Sequence, residues 1–192
     1  MWNSIVKPAV VLFVVCLVIS GSLAFINGMT KDIIEENTRL EQEGFRKQVL
    51  TAADRFLQIE PEGIPEAIDS VYEGFRGNES IGFIMEITTK GYGGDVSMTV
   101  GINSEGQITG VVVGANNETP GLGSKATGQE LLVQSAGNQL AEVMEDALVV
   151  VKQNTNKANE IQAVAGATIS SRSITDGVQA ALDTAAIIRG GD

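Results

Sequence analysis

Residues 81–115 read IGFIMEITTKGYGGDVSMTVGINSEGQITGVVVGA, the strongest β-sheet pattern in the chain. Three short runs rich in β-forming residues are separated by two clusters of turn formers, at residues 91–94 and 103–106. Glycine, asparagine and serine between such runs favour tight connections between neighbouring strands. The pattern therefore predicts an antiparallel meander over residues 80–115.

The segment before the meander has helical periodicity. Residues 31–57 are rich in helix formers, with apolar residues at helical spacing. Helix breakers follow at Pro61, Gly63 and Pro65, and we expect them to end this region. We therefore predict a helical connector over residues 31–75.

The segment after the meander alternates between helix and strand. Residues 128–147 are predicted to be helical, the run ALVVVK at residues 147–152 to be a strand, and the chain to end in a helix from about Ser170 to Ile188. Strands that are grouped before helices predict the α+β class. We assign residues 76–192 to one globular domain.

An uncharged N-terminal run predicts a membrane segment. Residues 8–30 contain no charged side chain, and as a helix they would reach about 34 Å, enough to cross a bilayer core of about 30 Å. We predict a transmembrane anchor over residues 1–30. A cleaved signal peptide is the alternative, since residues 22–24 read Ser-Leu-Ala, but the apolar run extends past that point. Flanking charge leaves the orientation open.

Composition excludes several classes of function. The chain has 24 acidic and 13 basic residues, a net charge of −11, which argues against a nucleic-acid partner. It has no histidine, so a Ser-His-Asp triad, a Cys-His pair and an HExxH zinc site are all excluded. The only cysteine, Cys16, lies within the apolar run and is expected to be a small membrane-facing residue.

Two glycine-containing stretches are candidates for binding chemistry. NNETPGLGSK, residues 116–125, contains glycines that let a backbone approach a ligand closely, although an ordinary surface loop would look the same. AVAGATISSRS, residues 163–173, leads from small residues into the terminal helix. A helix N-terminus favours a phosphate, so Thr168 is well placed beside one. A turn with a serine cap is the alternative.

The combination of these stretches behind one membrane anchor resembles a known family. GYGGDVSMTVGINSEGQITGVVV, ETPGLG and AGAT, in that order, are similar to the FMN-binding G subunit of the Rnf ion-translocating ferredoxin:NAD⁺ oxidoreductase. The C subunit of the Na⁺-translocating NADH:quinone reductase is a relative. The resemblance covers nearly the whole chain and implies that residues 76–192 are an FMN-binding domain.

The resemblance also implies particular site residues. In this family a flavin transferase joins the FMN phosphate to the last threonine of an Asp-x-x-Ser/Thr-Gly-Ala-Thr motif, which is Thr168 here. Gln162 and Ala165 depart from that motif. The carried-over cofactor-binding residues are Gly166, Ala167, Glu118, Thr119, Pro120, Gly121, Leu122, Gly123, Tyr92, Gly93, Gly94 and Lys125, with Ser171 as a residue near the phosphate.

The implied function is electron transfer. A covalent FMN would pass electrons between other membrane, iron–sulfur and flavin subunits of a complex that couples electron flow to Na⁺ or H⁺ transport, with the domain on the extracytoplasmic side of the plasma membrane. Such a chain is a redox subunit and not a complete enzyme. Alternatives are the quinone-reductase C subunit, a free-standing flavinylated carrier, a cofactor-free assembly module, and a hydrolase with a Ser-Lys arrangement.

Overall fold

A computed structural model describes residues 6–127, 147–153 and 159–190. The chain divides into two compact units, with the boundary between Glu43 and Gly44. The elements, in chain order, are α1 (Lys7–Val49), β1 (Arg55–Ile59), β2 (Ile68–Arg76), β3 (Glu79–Lys90), β4 (Asp95–Asn103), β5 (Ile108–Asn116), α2 (Gly123–Ala126), β6 (Val149–Val151), β7 (Glu160–Gln162) and α3 (Thr168–Gly190).

The predicted meander is confirmed and is larger than expected. Strands β1 to β5 form one sheet in sequence order, and every neighbouring pair is antiparallel. Lys90 of β3 pairs with Asp95 of β4, and the Gly91 N–H closes the connection by donating to the Gly94 carbonyl at 2.8 Å. The turn formers therefore mark the strand ends, as the sequence predicts.

The connection between β4 and β5 is held by one asparagine side chain. The Asn103 Oδ1 accepts hydrogen bonds from the N–H groups of Glu105, at 3.0 Å, and Gln107, at 2.8 Å. Gly106 has φ +87°, a conformation that other residues rarely adopt. Asparagine and glycine are thus required by the turn itself.

The predicted helical connector over residues 31–75 is wrong beyond Val49. Helix α1 continues through Gly44 and ends at Val49, well before Pro61. The Ala53 N–H then donates to the Leu50 carbonyl in a turn, and the Asp54 N–H joins the sheet by donating to the Phe75 carbonyl at 2.7 Å. Strands β1 and β2 form in the rest of the connector because their pairing, β1 with β2 and β2 with β3, outweighs local helix propensity.

The two faces of the sheet bury different clusters. Met85 packs with Ile174 and Val178 of α3 in the larger cluster, whereas its neighbour Ile84 packs with Val49 at the end of α1. Successive residues of a strand point to opposite faces, so the sheet lies between α3 and the last residues of α1. These α1 residues belong to the same compact unit as the sheet.

The terminal helix and the late strand were predicted correctly. Helix α3 spans Thr168–Gly190, two residues more at each end than expected, and residues 149–151 form β6. Strand β6 pairs in parallel with β7, which the sequence did not indicate. The helix predicted over residues 128–147 lies almost entirely outside the described residues.

Helix α1 contains the predicted anchor. In the part of the chain that the structure describes, it is the one helix that is long and apolar enough to cross a membrane. Its apolar side chains are exposed, as for Phe13 at 66% and Phe25 at 70%. This surface fits a single membrane pass, because lipid takes the place of a protein core around such a helix.

Candidate functional site

A cavity of about 430 Å³ opens where three segments of the domain meet. These segments are the turn between β3 and β4, the loop between β5 and α2, and the start of α3. The volume is within the usual range of small-molecule sites, about 300–1,000 Å³. Eight of the predicted site residues line the cavity: Tyr92, Glu118, Thr119, Leu122, Gly123, Gly166, Ala167 and Thr168.

The start of α3 places Thr168 at the cavity. Gly166 has φ +79° and reverses the chain, and the Ala167 N–H donates to the Val164 carbonyl at 2.9 Å. The Ser171 N–H then donates to the Ala167 carbonyl, also at 2.9 Å. The N–H groups of residues 168–170 precede this bond, and such groups have no carbonyl partner within the helix. Half-buried Thr168 therefore lies at the positive end of the helix dipole.

Ser171 is placed differently from the sequence-based expectation. Its side chain is fully buried and is not part of the cavity lining. The hydroxyl accepts a hydrogen bond from the Val164 N–H at 3.1 Å and donates to the Ala167 carbonyl at 2.9 Å. Ser171 thus stabilises the turn that precedes α3, and its hydroxyl is occupied by that turn.

Glu118 is a buried carboxylate at the centre of the site. Only 7% of the residue is exposed. Its Oε1 accepts hydrogen bonds from the Tyr92 N–H at 2.8 Å and the Gly93 N–H at 3.4 Å. Its Oε2 accepts a hydrogen bond from the Ser170 hydroxyl at 2.8 Å. The carboxylate is therefore bound by donors from both of the other segments that form the cavity.

The glycines around Glu118 leave space for neighbouring atoms of the protein and not for a ligand. A side chain at Gly91 would place its Cβ 2.2 Å from the Glu118 Oε1, and one at Gly123 would lie 2.1 Å from Oε2. At Gly93 the Cβ would lie 2.0 Å from the Asn117 carbonyl oxygen. Gly91 and Gly123 are therefore required by the packing around the carboxylate, and Gly93 by the neighbouring backbone. For Gly123, the sequence suggested close approach to a ligand instead.

The cavity has an apolar rim. Tyr92, Leu122 and Ile169 line it and are 72%, 49% and 54% exposed. Large apolar side chains that are exposed together around a cavity are typical of a binding site. The site thus combines a hydroxyl at a helix N-terminus with an apolar opening.

Six predicted residues lie outside the lining, and two lining residues were missed. The Gly121 N–H donates to the Ser124 hydroxyl at 2.9 Å, which shapes the loop. Ile169 and Ser170 line the cavity, and neither was among the predicted site residues. The predicted residues outside the lining are Gly93, Gly94, Pro120, Gly121, Lys125 and Ser171. Within residues 6–127, 147–153 and 159–190, no lysine lines the cavity, so a Ser-Lys hydrolase gains no support there.

Two family models match the chain. Residues 91–183 match the FMN-binding domain, and residues 1–49 match the RnfG N-terminal region. The first match contains all three segments that form the cavity. The second covers helix α1 to its last residue.

Sequence relatives decide the family. The G subunit of the Na⁺-translocating ferredoxin:NAD⁺ oxidoreductase complex of Acetobacterium woodii is 34% identical, over 92% of this chain and 89% of the relative. The chain belongs to the family of Rnf G subunits. The G subunit of the proton-translocating ferredoxin:NAD⁺ oxidoreductase complex of Clostridium ljungdahlii is 29% identical over 98% of this chain and 96% of that relative.

The assignment to the Rnf G subunits confirms the family that the motifs predicted. Among solved structures, Shewanella oneidensis NqrC aligns with a TM-score of 0.47 and 23% identity, over 67% of this chain and 65% of that chain. The assignment rests on the family models and the sequence relatives. Together they identify residues 91–183 as an FMN-binding domain behind an RnfG N-terminal region.

Proposed function

We propose that this Rnf G subunit carries FMN covalently on Thr168 and transfers electrons within a membrane ferredoxin:NAD⁺ oxidoreductase that translocates Na⁺ or H⁺. Family membership and the FMN-binding domain support the electron-transfer role. One relative is named for Na⁺ translocation and another for proton translocation, so both ions remain within the proposal.

The observation that carries the covalent attachment is the accessibility of Thr168. It lines the cavity and is half-buried. The four other hydroxyl residues in the first turns of the same helix are at most 4% exposed, and each has a hydrogen-bond partner. A transferase acting on the first turns of α3 would therefore find one accessible hydroxyl, that of Thr168. The four buried residues are Ser170, Ser171, Ser173 and Thr175.

The surroundings of Thr168 fit a phosphate ester. The side chain follows Gly166 and Ala167, which leave space, and it lies in the first turn of a 23-residue helix. The N–H groups and dipole of a helix N-terminus stabilise negative charge. The chain would hold the phosphate with backbone donors, which suits a site whose described lining residues include no cation.

The rim supplies the other half of the binding site. Tyr92, Leu122 and Ile169 offer an apolar surface for the ring system of a flavin. A bound FMN supplies the capacity to accept and donate electrons, and the protein supplies attachment, orientation and the surrounding charge. An exposed carrier also benefits from a covalent bond, since its cofactor cannot dissociate.

The proposed attachment is a phosphoryl transfer by a separate flavin transferase. The Thr168 Oγ1 forms a bond to the flavin phosphorus, the hydroxyl proton leaves, and the nucleoside monophosphate half of a flavin dinucleotide is the leaving group. The chain gains FMN minus water. Gln162 and Ala165 are exposed beside the acceptor, so both departures from the family motif lie where a transferase would make contact.

The proposed location is the plasma membrane, with the FMN-binding domain on the extracytoplasmic side. One apolar helix supports the single pass. The electron-transfer partners would be other membrane, iron–sulfur and flavin subunits of the complex. This chain would contribute neither the ferredoxin site nor the NAD⁺ site.

Co-expression with a flavin transferase tests the attachment. We expect the intact mass to rise by FMN minus water and peptide mapping to locate the addition on Thr168. Thr168→Val keeps the branched shape but has no hydroxyl, so it should carry no covalent flavin, whereas Thr168→Ser should retain part of it. Thr51→Val, at an exposed threonine outside the cavity, is the matched control and should be modified fully.

Two results would contradict the attachment at Thr168. Flavin that survives denaturation of Thr168→Val would assign the bond to another residue. A wild-type chain that stays unmodified while a known family member is flavinylated would mean that Gln162 and Ala165 prevent recognition. The cofactor-free assembly module would then be the better description.

A further inference from the structure

One side chain connects all three segments that form the cavity. Glu118 lies in the loop after β5, and its Oε1 accepts the Tyr92 N–H at 2.8 Å from the turn between β3 and β4. Its Oε2 accepts the Ser170 hydroxyl at 2.8 Å from the first turn of α3. Both oxygens are therefore hydrogen-bonded to the protein, unlike those of a carboxylate that is directed at a ligand.

The charge of Glu118 is balanced by these donors. Within residues 6–127, 147–153 and 159–190, no ion pair includes Glu118, although the residue is only 7% exposed. A buried carboxylate is stable only when hydrogen bonds replace its hydration. Displacing either donor would leave the charge poorly solvated, so the carboxylate and its donors hold one another in place.

The bond to Ser170 has a direct consequence for Thr168. The two residues are in the same helical turn, and Ser170 is 1% exposed. A helical turn moves as a unit because its backbone angles are fixed by hydrogen bonds. Holding the Ser170 hydroxyl therefore sets the rotation of the first turn of α3, and with it the position of the Thr168 hydroxyl.

We propose that Glu118 is a positioning residue that bridges Tyr92 and Ser170 and thereby holds the Thr168 hydroxyl in the cavity for flavin attachment. The inference rests on the proposed function of Thr168 as the acceptor. It gives Glu118 a role within the protein rather than as a contact of the flavin. The role requires a side chain long enough to reach both partners, and an uncharged amide of the same length can also form both hydrogen bonds.

Three substitutions separate length from charge. Glu118→Gln has the same length, its amide oxygen can accept the Tyr92 N–H, and its amide nitrogen can donate to the Ser170 hydroxyl. Glu118→Asp keeps the charge but is one methylene too short to reach both donors. Glu118→Ala removes the bridge. Glu62→Asp, at an exposed glutamate outside the cavity, is the matched control.

The first measurement is the rate of flavin incorporation by a transferase into the full-length chain. We expect Glu118→Gln and Glu62→Asp to stay within about twofold of the wild type, and Glu118→Asp and Glu118→Ala to be slower by about 10-fold to 100-fold, the effect of a misplaced reactive group. If Glu118→Asp is modified normally while Glu118→Gln is not, charge is the determinant and the proposal is overturned.

The second measurement needs no flavin. Amide hydrogen exchange in the unmodified full-length chain reports on the N–H groups of Tyr92 and Gly93, and exchange should be about 10-fold faster in Glu118→Asp and Glu118→Ala but unchanged in Glu118→Gln. Unchanged exchange in all three variants would overturn the bridge. If the wild type takes up no flavin, the proposed function fails, and the exchange rates still decide for or against the bridge.

Discussion

The two faces of the five-stranded sheet are covered in different ways. On one face, α3 packs against β3 and β4 through side chains, and its first turn forms part of the candidate flavin site. On the other face, the end of α1 lies directly against glycines, so backbone meets backbone. The first arrangement can adjust by moving side chains, and the second cannot.

The α1 face depends on a pair of glycines. Gly101 of β4 pairs with Gly110 of β5, and Val49 lies over both. A Cβ at Gly101 would lie 2.6 Å from the Val49 carbonyl oxygen, and one at Gly110 would lie 3.1 Å from the Val49 Cα. The Thr109 hydroxyl fixes this approach by donating to the same carbonyl at 2.5 Å.

Gly101→Ala should therefore have the largest effect on stability. We expect a loss of about 3 kcal/mol, because overpacking against a backbone atom forces the end of α1 to move. Amide exchange of the β4 residues in the full-length chain, in detergent, measures this free energy without requiring the membrane helix to unfold. Thr109→Ala should not restore stability in the Gly101→Ala background, since the Val49 carbonyl remains in place.

A small loss of stability in Gly101→Ala would contradict this difference between the two faces. If exchange shows less than about 1 kcal/mol, well below the usual overpacking cost, the end of α1 can shift away from the sheet. The two faces would then be equally adjustable. The glycine pair would need another explanation.

A half-buried ion pair on the α1 face gives the next largest effect. The Arg46 Nε lies 2.7 Å from the Glu86 Oε1, and the Ser70 hydroxyl donates to Oε2 at 2.6 Å. The Arg46 guanidinium also lies 3.7 Å from the centre of the Tyr72 ring. With 13% of each charged side chain exposed, removing one partner leaves a charge that water reaches poorly.

Arg46→Met should cost about 2 kcal/mol, less than the roughly 3–5 kcal/mol found for fully buried pairs. Adding Glu86→Leu should recover part of this loss, because neither charge then remains. The same exchange measurement applies to both variants. A double variant that is no more stable than Arg46→Met would show that packing of the arginine on Tyr72, and not the charge, is responsible.

The sequence indicates the elements with local signals and misses those that depend on distant contacts. Turn formers at residues 91–94 and 103–106 predicted the meander because each turn is specified by its own residues. Strand β2 was missed because the preceding helical pattern extends to Leu57, although Gly77-Asn78, with Gly77 at φ +60°, is a local signal for the β2–β3 hairpin. Pairing with β3 decides the outcome, and local periodicity does not contain that information.

The same distinction applies to the candidate site. Thr168 and the loop of residues 118–123 could be identified from motifs, and the structure brings them to one cavity. Ser170 could not, because its partner Glu118 is 52 residues away in the chain. Nor could the sequence show that Gly91 and Gly123 make room for that carboxylate. The reason for each glycine is a tertiary contact.

The smallest effect should come from the glycine on the other face. A Cβ at Gly177 of α3 would lie 2.6 Å from the Met98 Sδ, the far end of a flexible side chain, which can move. Alanine also favours a helix interior over glycine by about 1 kcal/mol, which offsets part of the steric cost. Gly177→Ala should therefore lose at most about 1 kcal/mol by amide exchange of the β4 residues, well below a typical overpacking penalty.

A second substitution tests whether the contact on the α3 face, unlike the one on the α1 face, can be relieved by changing a side chain. Met98→Val removes the sulfur that Gly177→Ala would meet, so the double variant should be more stable than the sum of the two single losses predicts. No side-chain substitution can do the same for Gly101, because removing the Thr109 Oγ1 at 2.7 Å would still leave the Val49 carbonyl oxygen at 2.6 Å. If the loss in the double variant equals the sum of the two single losses, the Met98 side chain does not relieve the contact with residue 177. Helix α3 is then as tightly constrained as the end of α1. Coupling on the α3 face alone would show that this helix, which also carries Thr168, can be repacked without disturbing the sheet.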